Sequence, residues 1–114
     1  MTPDAVVFLP LKPDAFEILL ALEDAELHGY AMLKVLEAHG IALPASLLYR
    51  KLRRMMEEGL VEESAAPRGP DVDARRRYYR LTALGRAVVR AEAARVMTLA
   101  RSRQIRRLAG GHNA

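Results

Sequence analysis

Apolar side chains recur along this chain at spacings that predict three short helices, then a hairpin, then a longer helix. Phe16, Leu19, Leu20 and Leu22 follow Pro13, a residue suited to a first helical turn, and predict a helix from Pro13 to Asp24. Ala25 to Leu27 form a short connection, and His28-Gly29-Tyr30 opens a second helix whose Met32, Leu33, Val35 and Leu36 share one broad face. Gly40 ends it, with His39 in the last turn, where the helix dipole favours a cation. Residues 44–59 then sort into two opposite faces. Leu48, Leu52 and Met55 make one stripe, flanked by Met56 and Ala45, while Ser46, Arg50, Arg53 and Arg54 project from the other side. Three consecutive helices, the third with a basic outer face, predict a helix-turn-helix.

Beyond Gly59, placed as a helix C-cap, Leu60 to Ala65 and Arg75 to Leu81 have extended character, and Pro67 to Asp73 between them is dense in turn residues. A hairpin following a basic helix is a wing. Its tip and return strand carry Arg68, Arg75, Arg76 and Arg77, suited to lie along phosphates or to enter a narrow minor groove. The same charges also protect an edge hairpin from aggregation. Thr82 is a good N-cap for a last helix running without Pro from Ala83 to about Ala109. One of its faces, Leu84, Ala87, Val88 and Ala91, suits the core. A second, Val89, Ala93, Val96 and Ala100 with Leu99 nearby, predicts a self-association seam and a homodimer. Alternatively the N-terminal arm, with Val6, Val7, Phe8 and Leu9, folds back over that seam; the two arrangements are compatible. The expected fold is mainly α with a small β hairpin: an arm over 1–12, a winged helix-turn-helix over 13–81, a C-terminal dimerisation helix over 82–109 and a disordered tail over 110–114.

At 114 residues the chain has room for one domain, and 51% hydrophobic with 28% charged residues marks it as globular. Cysteine is absent, which removes disulfides, thiolate metal sites and cysteine nucleophiles together. The apolar run Val6 to Leu11 is too short to span a bilayer or direct export, so a soluble cytoplasmic protein is expected. Net charge is +4, unevenly distributed. Through Asp73 there are seven Lys or Arg against thirteen Asp or Glu; from Ala74 onward eleven Arg face Glu92 alone. That asymmetry points to a polyanionic partner, nucleic acid first and an anionic membrane surface second.

Enzyme readings find little support. His28, His39 and His112 lack the two-histidine metal spacings, and Ser46, Ser64 and Ser102 lack a nucleophile-elbow context. Glu23, Asp24 and Glu26 near His28 read as a solvated helix end with a capping histidine. No glycine loop cradles a phosphate, so neither catalysis, metal nor cofactor is expected. On the third helix Arg50 and Arg53 are the candidates for base edges, because Arg reads guanine bidentately; Lys51 and Arg54 are candidates for phosphates. Tyr49, at the margin of the apolar face, suits a core or backbone contact better than base reading. A dimer would place two such helices in successive major grooves, implying a pseudo-palindromic double-stranded operator with half-sites about 10 base pairs apart or a multiple. The alternative is a binding module for a protein or an anionic surface, using Arg101, Arg103, Arg106 and Arg107. These do not line one face opposite a hydrophobic belt, which argues against a membrane.

Several segments together resemble the PadR family of winged-helix transcriptional regulators. They are Leu27-His28-Gly29-Tyr30, Leu48-Tyr49 with Leu52, Met55 and Gly59-Leu60-Val61, and Arg77-Tyr78-Tyr79-Arg80-Leu81-Thr82 leading to Gly85-Arg86. They cover roughly residues 16–90 in the family's order. The resemblance implies a dimeric DNA-binding repressor whose C-terminal helix dimerises and whose relatives include some that respond to small aromatic effectors; any effector of this chain is unknown. With no Trp and only Phe8 and Phe16, stacking plates for such a compound are scarce. One departure stands at the third helix. Family members place Gly or Ala then Ser or Thr directly before Leu-Tyr, whereas Ala45-Ser46 is followed here by Leu47-Leu48-Tyr49. One extra helical residue turns Ser46 by about 100° relative to Tyr49. If the helix simply starts a residue earlier, the three arginines keep their outward face.

Overall fold

Local chemistry sets most of the helix ends in the computed structural model, which describes residues 3–65, 69 and 75–110. In chain order the elements are α1 (Pro3–Val6), α2 (Pro13–Asp24), β1 (Leu27–His28), α3 (Gly29–Ala38), α4 (Ala45–Glu57), β2 (Val61–Ser64), β3 (Tyr78–Leu81), α5 (Ala83–Ala100) and α6 (Arg103–Ala109). Pro13 occupies the first turn of α2, and the His28 ring caps α3 by accepting from the Ala31 N–H at 3.1 Å. At the end of α4, Gly59 takes φ 79°, which lets its own N–H reach the Met56 carbonyl and the Leu60 N–H reach that of Met55. Leu60 is thereby turned into the core at the start of the wing.

The core gathers Ile18, Leu19 and Leu22 of α2, Met32 and Leu36 of α3, Leu48, Leu52 and Met55 of α4, and Val88, Val89 and Ala91 of α5. Leu60, Val61, Tyr79 and Leu81 of the wing close it from one side. Arg86 and Arg90 of α5 reach Glu23 of α2 at 3.2 and 3.5 Å, so the long helix is fixed to the first by charge as well as by packing.

Three features depart from the sequence-based expectation. The connection before α3 is a short strand: Leu27 pairs with Tyr79 and His28 with Tyr78, giving an antiparallel sheet in the order β1-β3-β2. Two residues are too few for an alternation to register in sequence. Arg75, Arg76 and Arg77 precede β3 instead of lying on it. The C-terminal helix is interrupted at Ser102, whose extended backbone ends α5 and whose hydroxyl caps α6 by accepting from the Ile105 N–H at 3.4 Å. Of the two arrangements expected for the arm, the structure shows the fold-back on α5. Ala5 is fully buried, Phe8, Leu9 and Leu11 pack against the core, and the Leu11 N–H donates to Glu92 at 2.7 Å. Val6 and Val7, also expected to cover the seam, are instead exposed. The wing tip at 66–68 and 70–74, including Arg68, and the tail at 111–114 lie outside the described residues.

Candidate nucleic-acid interface

Helix α4 places an apolar stripe inward and its cations outward. Leu48 and Leu52 are fully buried and Met55 nearly so, while Ser46, Arg50, Arg53 and Arg54 are exposed. Arg50 and Arg53 have no acidic partner among the described residues; Arg54 lies 3.8 Å from Glu58 one turn on, a loose pair in water. The helix begins at Ala45, ahead of the extra leucine, so the arginines keep the outward face expected of them. Ser46 stands exposed in the first turn.

Two clefts flank this helix. One runs between α4 and the start of α2 and is lined by Lys12, Asp14, Arg50, Lys51, Arg53 and Arg54 among others. Within it the Lys51 ammonium sits 2.9 Å from Asp14 and is only partly exposed. The hydrogen bond from Lys51 holds the Asp14 carboxyl below the usual aspartate range, against partial burial and with help from the Ala15 N–H. Lys51 is therefore a strut between α2 and α4 as well as a cation at the surface.

The second cleft lies between the start of α3, Tyr49 of α4 and the base of the wing, lined by His28, Gly29, Tyr30, Tyr49, Arg76 and Arg77 with Tyr79. Gly29 makes it possible: a Cβ there would collide with the hydroxyl and ring of Tyr49. Tyr49 thus lies over the start of α3 with 45% of its surface exposed, neither core nor fully outward. Arg76 reaches His28 Nδ1 at 3.2 Å, and Arg77 meets Glu63 at 3.3 Å across the wing. Because Nδ1 of His28 accepts from both Ala31 N–H and Arg76, it is the unprotonated nitrogen of the ring. Burial, followed by the nearby Glu63 charge, pushes the Tyr79 phenol above its ordinary value, so it stays neutral.

The sequence-predicted residues Ser46, Tyr49, Arg50, Lys51, Arg53, Arg54, Arg75, Arg76 and Arg77 fall on α4 and the base of the wing. Lys12, His28, Tyr30 and Lys34 were missed as contributors. For His28 and Tyr30 the neighbourhood depends on β1 pairing with β3, and for Lys12 on α2 packing beside α4; no spacing along the chain reports either. The expected dimer seam is corrected in part. Val89 is 2% exposed inside the chain's own core, because the docked arm and α2 enclose that side of α5, and Ala93 is half-buried. Val96, Leu99 and Ala100 are exposed on α5. Among the described residues no helix is long and apolar enough to cross a membrane.

A family model for the transcriptional regulator PadR-like family matches residues 18–91. Among solved structures, a PadR family transcriptional regulator from Eggerthella lenta is 33% identical over 73% of this chain and 73% of its own, with a TM-score of 0.56. RosR of H. salinarum is 25% identical over 90% of this chain and 89% of its own, TM-score 0.62. Bacillus subtilis PadR, solved in complex with operator DNA, shares the fold at 21% identity and a TM-score of 0.57; the matched part covers 72% of this chain but 47% of that one, about half its length. None of the curated proteins matches the chain. With three helices carrying a basic outer helix, a wing beside it and a family model spanning both, the chain belongs to the PadR-like family of transcriptional regulators and is a winged-helix protein.

Proposed function

We propose that the chain is a sequence-specific double-stranded DNA-binding repressor acting as a homodimer on a pseudo-palindromic operator. The observation that carries this reading is α4 itself: its buried stripe orients Arg50, Arg53 and Arg54 to solvent, with the Arg76 and Arg77 wing base beside them. A helix of that width fits a major groove, and guanidinium groups on its outer face reach base edges there. The operator DNA bound by Bacillus subtilis PadR supports the same kind of partner for this fold. Residues 13–81 form the DNA-binding unit. Residues 82–109 supply dimerisation through Val96, Leu99 and Ala100, whose exposed side chains extend the helix beyond the core.

Selection of duplexes from a random pool, followed by affinity measurements on the enriched and a scrambled duplex across a salt series, tests the reading. A preference that survives at physiological salt, for an inverted repeat with half-sites about 10 base pairs apart or a multiple, supports it. Equal affinity for both duplexes with a steep salt slope would reduce the interaction to charge alone.

A further inference from the structure

We propose that Lys34, held in place by the ring of Tyr30, is a backbone-phosphate contact beside the wing, on a different helix from the one that reads bases. This rests on the DNA-binding reading above. Tyr30 is 54% exposed at the first turn of α3, yet its ring is surrounded: the His28 ring stacks on it at 6.4 Å and 20°, Lys34 Nζ lies 5.3 Å from its centroid and Arg76 Cζ 5.4 Å. An exposed aromatic face gathers cations through its quadrupole, and the four-residue spacing puts Lys34 one helical turn above Tyr30. A lysine resting on a ring forfeits less side-chain freedom on binding an anion than one waving in water. Lys34 is exposed and has no acidic partner among the described residues.

The position of the cluster says which anion it suits. A helix in a major groove about 12 Å wide has a phosphate ridge on either side. On one flank of α4 the cleft toward α2 carries Lys12 and Lys51; on the other, the cleft toward the wing carries Tyr30 and Arg76, with Lys34 on the same ring. The wing-side cluster therefore lies where the second ridge would run. Tyr30 is a positioning residue, and Lys34 is the group that touches the phosphate.

The test compares wild type, Lys34→Ala, Tyr30→Leu, Tyr30→Phe and the Lys34→Ala/Tyr30→Leu double variant on a scrambled duplex and on the enriched duplex, over a potassium chloride series. Lys34→Ala should lower the slope of log affinity against log salt by about 0.9 on both duplexes and leave their affinity ratio unchanged, as loss of one phosphate contact requires. Tyr30→Leu should weaken both several-fold and add little to Lys34→Ala, while Tyr30→Phe, which keeps the ring face, binds like wild type. An unchanged slope in Lys34→Ala, or a changed affinity ratio, overturns the phosphate contact while wild-type binding leaves the regulatory reading intact. Tyr30→Phe behaving like Tyr30→Leu overturns the positioning role. If wild type binds neither duplex, the regulatory reading fails and this contact with it. Lys34 is exposed, so its variant tests the contact even where Tyr30→Leu impairs folding.

Discussion

Arg53 and Gly29 show two ways a single residue serves the same surface. Arg53 stands exposed near the middle of α4 with no ion pair among the described residues, so under the proposed function its guanidinium would enter a groove without first breaking a contact. Arg53→Ala should cost about 1–3 kcal/mol on the selected operator and less on scrambled DNA. Equal loss on both, read by fluorescence anisotropy, would make it a phosphate contact. Gly29 acts through what it lacks. Gly29→Ala drives a methyl into the Tyr49 phenol and should destabilise the fold by about 1–3 kcal/mol in urea titration, with the cost largely absent when Tyr49 is also replaced by Ala. The outward arginines were legible from helical periodicity alone. The need for glycine at position 29 was not, because it depends on a side chain twenty residues away.

At the scale of elements, the arm and the last helix are joined by one buried carboxylate. Glu92, 1% exposed, accepts from the Leu11 N–H and is bonded by both the Arg95 Nε and, at 3.1 Å, its Nη2. The Arg95 guanidinium holds its carboxyl below the usual glutamate range, against burial and with help from Leu11. A group depressed in the folded state contributes its full stabilisation above its unfolded value, near 4.3, and loses it as pH falls through the folded value. Thermal melts from neutral to acidic pH should therefore fall steeply below that range in wild type and less so in Glu92→Gln. Identical profiles for the two proteins would remove Glu92 from the acid response. Glu92→Ala should cost about 1–3 kcal/mol at neutral pH by leaving the Leu11 N–H without its acceptor. In the sequence Glu92 was only the single acid among eleven C-terminal arginines; nothing along the chain pairs it with residue 11.

For the whole molecule, 53 Å in its longest dimension, exposed apolar and basic residues occur together on the C-terminal helices. Arg50, Arg53 and Arg54 stand outward on α4, while α5 extends past the core with Val96 and Leu99 exposed at 39% and 45% and is followed by the exposed Arg101, Arg103, Arg106 and Arg107. If the proposed homodimer forms through α5, Val96→Arg combined with Leu99→Arg should leave a monomer in sedimentation equilibrium where wild type is a dimer, and reduce operator affinity, because two half-sites would no longer be gripped by one particle. Retention of the dimer would move the interface elsewhere, with the exposed Val6 and Val7 of the arm the next surface to change.

Periodicity and turn chemistry, which act within a few residues, sufficed for α2, α3, α4 and the start of α5, the wing, the outward arginines and the caps at Thr82 and Gly59, but not for α1 or the break at Ser102. The ordered motifs sufficed for the family. Contacts between distant segments decided the rest: β1 forms only because β3 offers it an edge, Val89 is core and not seam only because the arm and α2 enclose it, and Tyr30 joins Lys34 to the wing only because Arg76 arrives from the far side of the hairpin. A helical stripe tells which residues share a face; what covers that face is settled by segments that find each other only on folding.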